Sequence, residues 1–464
     1  MYTTTIGHTF LKEYNRRNGT DYSAKLFFDE VYFRLFFDDP KYLMWAQNSP
    51  FVQGISKKKP YFERHERLEN LSQFHQKVTR GERDASIAIG YPASETKEYA
   101  TTSGLVSDIN LEISEEATYL SWIGSSLSIG VSGGYAILFN DPAILYATFE
   151  GWKVYREYLN DVTLERLRPN QIFTWNGQWL TYRFSWKFRS DFDFLTLQGE
   201  KFFTVSETEI GVNTIEWSKL FFSLSRQFPD SIQTGYVFSL GQTNKTLGFF
   251  PFHFKSGSNL VSVYKKLWGE DDYLKNTAAF ESLIGKRIDR ACELGAIGLQ
   301  ALEPRGLTKY FSEGNIDLSK PAILLKKNET EIEFEERKSK ILSKDLENII
   351  TFQTYKTWLI AMLTKNKEEI ADYTTEIAAA LVRYRASARK TDRKNLIEKE
   401  LFASSKKNAF IEALIKIVSD GEVDSDIIEK VKELKDYIHY LNNEEFVYFW
   451  LLLKFDYAYQ ERIS

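Results

Sequence analysis

Apolar positions along the chain change period partway through. Over residues 1–340, short runs of alternating or continuous hydrophobic residues sit between turn-bounded polar stretches. ASIAIGY (85–91), YAILFND (135–141), KFFTVSE (201–207), GYVFSLG (235–241) and LGFFPFHF (247–254) read as strands. Between them lie segments with helical spacing. Residues 23–37 carry Leu26, Phe27, Val31, Phe33 and Leu35; residues 143–159 carry Ile144, Leu145, Phe149, Trp152, Val154 and Tyr158. Strands and helices do not alternate strictly, which predicts an irregular mixed α/β body and not a doubly wound parallel sheet.

Beyond about residue 312 the pattern becomes polar, charged and weakly periodic around Pro321, and it reads as a connector. From about Asp345 the spacing is helical to the end. Ile370, Tyr373, Ile377, Leu381 and Tyr384 form one stripe, and Ile427, Val431, Leu434, Ile438 and Leu441 form another. Asn442 followed by Glu445 reads as a capping box for a last helix over 444–459. The expected class is therefore α+β: a body over 1–340, then an all-α helical bundle over 345–464.

Composition narrows the function classes. In 464 residues there are 64 acidic and 60 basic side chains, net charge −4, so binding of a polyanion would rest on local patches. One cysteine, Cys292, excludes an internal disulfide and a Cys-rich zinc site, and no two of the five histidines stand four apart. No metal, cofactor or catalytic residue is expected. The longest apolar run, residues 447–453, is far short of a membrane span. An intracellular, cytoplasmic protein without a membrane partner follows as the expectation. Aromatic residues reach 15%, with 35 Phe, 26 Tyr and 10 Trp, which suits core packing and also surfaces that stack bases or bury against partners.

Four segments hold candidate chemistry. The glycine-rich stretch 124–134 has neither dinucleotide nor P-loop order; Gly130, Ser132, Gly133 and Gly134 fit either a turn between strands or a close approach to a phosphate or groove edge. Residues 182–189, read as a strand, place Tyr182, Phe184, Trp186 and Phe188 on one face and Arg183, Lys187 and Arg189 on the other, which fits both a solvated face and one that follows a phosphate backbone. Lys57, Lys58 and Lys59 form a short basic loop. Residues 383–407 hold nine cations against three carboxylates, among them Arg383, Arg385, Arg389, Arg393 and Lys394, a concentration against the global sign that favours a polyanion site. Asp191, Asp193, Glu200 and Lys201 approximate a nuclease carboxylate set, but the spacing fails.

This layout resembles the large subunit of a type I CRISPR surveillance complex, Cascade, most like the type I-B kind. The likeness rests on Gly124–Gly134, the basic segment 182–189 and the bundle 345–464 with its basic stretch. It implies a non-catalytic recognition subunit that holds the 5′ end of the CRISPR RNA and reads the protospacer-adjacent motif of target double-stranded DNA. It also implies support for R-loop formation, contact with Cascade backbone and small subunits, and docking of a helicase-nuclease effector. In such systems the C-terminal part can also be made from an internal start, for which Met362 is the candidate. A hydrolase or nuclease on the α+β body and a protein-interaction scaffold are the alternatives.

Overall fold

The computed structural model describes residues 1–46, 49–82, 86–90, 93–94, 106–107, 113–240, 246–307, 309, 321, 323–327, 329–363, 369–387, 390–403 and 405–463. The class is α+β, with a small antiparallel sheet in the N-terminal half and helices alone in the C-terminal region. The chain forms two compact units. One comprises 1–255 and 287–298, the other 256–286 and 299–464. The boundary drawn from composition at 340–345 thus differs from the spatial division, because residues 256–286 and 299–307 pack with the helical unit.

In the first unit, helices Tyr2–Asn18 and Glu115–Ser126 meet backbone to backbone. A Cβ on Gly7 would stand 2.1 Å from the Leu120 carbonyl oxygen, and one on Gly124 1.9 Å from that of Thr3. Only glycine permits that approach. Ser23 caps the next helical run, accepting from the Leu26 amide at 3.2 Å, and a π-turn over Phe28–Tyr32 interrupts it. Asp141 caps Pro142–Asn160, accepting from the Ala143 and Ile144 amides. Helix Ile172–Arg183 lies against it: the Trp175 and Trp179 indoles donate to the Gly151 and Ala147 carbonyls, each at 2.7 Å.

Strands Ile129–Val131, Tyr135–Phe139, Ile232–Ser239 and Thr246–His253 form the sheet in that order, antiparallel throughout. Ile137 pairs with Val237, and Tyr236 with Phe249. The segment from 140 to 231 contains helices and the hairpin Phe203–Val205/Ile210–Val212. Phe28, Tyr32, Phe36, Phe51, Phe74, Trp122 and Trp152 build the aromatic core.

The helical unit contains Glu270–Leu283, Glu331–Leu363, Glu369–Ala386, Lys390–Asn395 running into a π-turn, Lys407–Val418, Ser425–Tyr440 and Asn443–Ile463. Both expected stripes turn inward: Ile370, Ile377, Leu381 and Tyr384 are buried, as are Ile427, Val431, Leu434 and Ile438. The capping box is formed, with the Glu445 amide donating to Asn442 Oδ1 at 2.8 Å and the Asn442 amide donating to Glu445 Oε2 at 2.9 Å. Inside the unit Lys356 pairs with Asp456, whose other oxygen accepts from the Thr374 and Thr375 hydroxyls. Burial holds the Asp456 carboxyl above its usual range. Among the described residues no helix is long and apolar enough to cross a membrane.

Several local expectations are corrected. Residues 86–90 form turns, not a strand; Ser86, Ile87 and Ala88 are buried there and Ile87 accepts from the Trp122 indole, while Ala85 and Tyr91 lie outside the described residues. The connector is helical from Glu331. Asp271 and Asp272 occupy the first turn of the helix Glu270–Leu283, where carboxylates meet free amides.

Candidate nucleic-acid interface

Residues 182–189 are not a strand. Tyr182 and Arg183 end the helix Ile172–Arg183, and 184–187 turn away from it. Alternation of faces therefore fails, and aromatic and basic side chains share one cleft. That cleft, about 530 Å³, is lined by Tyr182, Trp186, Lys187, Phe188, Arg189, Thr196 and Glu200.

The aromatic wall is fixed by edge contacts. Tyr182 and Phe188 lie 5.4 Å apart between ring centroids, and Tyr182 meets Phe202 at 5.7 Å. Arg183 stacks on Phe188 at 4.5 Å and reaches Glu150 at 3.4 Å, so its charge is met within the fold. Lys187 pairs with Glu200 at 2.8 Å. Arg189 is exposed, its guanidinium without an acidic partner among the described residues. Trp186 is 52% exposed and makes no ring–ring contact among those residues.

The nuclease-like carboxylates do not converge. Asp193 caps the helix Phe194–Gly199, and its bonds to the Thr196 amide and hydroxyl hold its pKa below the usual value. Glu200 is taken by Lys187. No group of three or more His, Cys, Asp or Glu among the described residues is placed to hold a metal ion. Cys292 is buried, and burial pushes its thiol up to about 12.

The glycine segment splits into three parts. Gly124 to Ser126 end a buried helix, Gly130 lies in a strand, and only Ser132 to Gly134 form the hairpin turn. A Cβ at Gly130 would meet the Phe173 backbone at 2.9 Å, so this glycine serves packing. The Ser132 amide donates to the Ile215 carbonyl at 2.8 Å. Gly133 and Gly134 are exposed with φ of +94° and +77°. In the basic loop, Lys59 pairs with Glu66 and lies over Phe62, whereas Lys57 and Lys58 are exposed and have no partner among the described residues.

The cations of 383–407 are largely engaged in holding the helices together. Arg393 is 2% exposed; it donates to Asp420 at 2.8 Å, to the Tyr384 and Glu422 carbonyls and to Ser387, and stacks on Tyr384. This buried clamp corrects its assignment to a phosphate-binding surface. Arg385 pairs with Glu461 and approaches Glu398, Arg383 pairs with Asp426 at 2.8 Å, and Lys394 approaches Glu398 at 3.9 Å. Arg389 lies outside the described residues. A charge count along the sequence could not see these partners, since Asp426 and Glu461 come from later helices and Asp420 from the turn between two of them.

No protein-family model, curated protein or solved structure matches this chain.

Proposed function

We propose that the chain is the non-catalytic large subunit of a type I CRISPR RNA-guided surveillance complex. The observation that carries this reading is the layout: an α+β unit with a small antiparallel sheet, followed by a unit built from helices alone. The surface features agree with it in kind. Lys57, Lys58 and Arg189 offer cations on loops without an acidic partner among the described residues, and the hairpin Gly133–Gly134 is exposed. In this role the chain holds the guide RNA 5′ end, contacts backbone and small subunits, and reads the short motif beside the target. Sequence along the target is then read by base pairing. The helical unit supports the displaced strand and the α+β unit docks the helicase-nuclease. With net charge −4, duplex affinity arises in the assembled complex and not in the isolated chain.

Co-expression with the products of neighbouring genes tests the reading. A tagged chain is expected to bring down a discrete set of subunits and an RNA of defined length. A tagged chain that purifies without RNA, while a complete RNA-guided complex assembles from the other products, overturns it.

A further inference from the structure

We infer that the cleft between Trp186 and Glu200 is a subsite for single-stranded nucleic acid, in which an unpaired base stacks on Trp186 and its phosphate meets Arg189. The inference rests on the proposed reading only for the ligand being nucleic acid. It adds the form of that ligand and divides the labour between two side chains.

The large rings of the first unit are mostly enclosed: Trp122, Trp152, Trp175 and Trp217 are 1% exposed or less. Trp186 departs from this pattern. Its indole is half exposed, and it has no ring partner among the described residues. It stands beside a wall that cannot collapse onto it, because Tyr182 and Phe188 are held by Phe192 and Phe202. The Lys187 ammonium lies over this indole, 5.7 Å from the ring centroid, and the rest of the half-exposed ring, in a cleft of this size, suits one more planar ring.

Charge selects among planar ligands. Lys187 and Glu200 neutralise each other at the rim, and Arg183 is turned onto Phe188 and Glu150. That leaves Arg189 as the cation of the cleft lining without an acidic partner, so the lining carries a net single positive charge. Asp193 is not part of that lining and is occupied as a helix cap. A planar ring joined to an anion, such as a base and its phosphate, meets both demands. Duplex DNA does not, since its base faces are already stacked; only an unpaired strand offers one.

Binding of fluorescein-labelled oligothymidylate and oligouridylate to the full chain, followed by anisotropy across a salt series, tests this. Trp186→Ala is expected to weaken binding roughly 5- to 150-fold, the range for loss of one stacked base, with the salt slope unchanged. Trp186→Phe, which keeps a stacking face, is expected to retain most of the affinity. Arg189→Gln is expected to make the slope of log K against log salt shallower by about 0.7, the loss of one single-strand phosphate contact. Thermal melts establish that each variant is folded. If the parent chain binds neither oligomer at low salt, or if Trp186→Ala and Arg189→Gln both bind as the parent does, the subsite is refuted. A parent that prefers duplex refutes it as well. Each of these failures leaves the larger reading to be decided by the RNA that co-purifies.

Discussion

Replacing Gly124 with alanine should destabilise the first unit although alanine is the better helix former. Helix propensity favours the substitution by about 1 kcal/mol. The added methyl, however, would lie 1.9 Å from the Thr3 carbonyl oxygen and 2.8 Å from the Gly7 amide nitrogen. Both obstacles are backbone, so no side-chain rotation relieves them. Reaching an ordinary contact near 3.5 Å requires the two helices to part by about 1.5 Å. Parting loosens the packing of two helices whose Ile6, Phe10, Leu120 and Ile123 are all buried. Overpacking of this kind costs about 1–3 kcal/mol, and a rigid obstacle belongs at the upper end. The net expectation is a loss of about 2 kcal/mol. Gly7→Ala, with its Cβ 2.1 Å from the Leu120 oxygen, should cost a similar amount. The double variant should lose less than the sum, because helices already parted for one methyl accommodate the other. Gly199→Ala, at the end of the helix Phe194–Gly199 with nothing within 4 Å, is the control and should lose no stability, gaining up to about 1 kcal/mol. Urea unfolding followed by indole fluorescence reads the effect through Trp122, Trp152, Trp175, Trp179 and Trp217, all buried in this unit. A Gly124→Ala chain that unfolds at the same or a higher urea concentration would refute the reasoning.

Three further outcomes are expected. The Arg393 guanidinium beside Asp420 holds that carboxyl down from 3.8 to about 2, so the pair stabilises the helical unit above pH 4 and its contribution is lost as pH falls towards 2; Arg393→Gln should flatten this acid dependence in a circular-dichroism pH titration. Asp456→Ala, leaving the Lys356 ammonium buried and unpaired, should cost about 3–5 kcal/mol, whereas Lys356→Met with Asp456→Leu should cost far less, as a double-mutant cycle in denaturant would measure. A product begun at Met362 lacks Lys356 and the Phe352 and Tyr355 rings that pack on Phe455, so residues 362–464 expressed alone should fail to give a cooperative thermal transition.

Local signals in the sequence carried well where one element decides its own fate. The stripes at 370–384 and 427–438 and the Asn442–Glu445 box need only residues a few positions apart, and all three formed; Leu441, expected to end the second stripe, follows the helix in extended backbone and is half-buried. Expectations failed where a distant partner decides. ASIAIGY has the composition of a strand, yet its residues 86–90 form turns whose Ile87 carbonyl accepts from the Trp122 indole and whose Ile89 amide donates to the Ser121 hydroxyl. The apparent alternation of 182–189 arose from a helix end followed by a turn, where adjacent residues point into one cleft.

Candidate chemistry follows the same division. Arg393 and Arg189 look alike in sequence, each a cation in a basic run. Their surroundings separate them. Arg393 is enclosed and donates to Asp420, Ser387 and two carbonyls, so removing it strips the helical unit of a clamp. The Arg189 guanidinium has no acidic partner among the described residues and lies in the cleft with the half-exposed Trp186, so removing it leaves the fold's described ion pairs intact. Net charge in a window measures how many cations are present. What a cation can do for a ligand depends on how many carboxylates and carbonyls the fold has already turned towards it. By that measure the basic stretch 383–407 mainly holds helices together, and the smaller cluster around Trp186 is the better place to look for a bound strand.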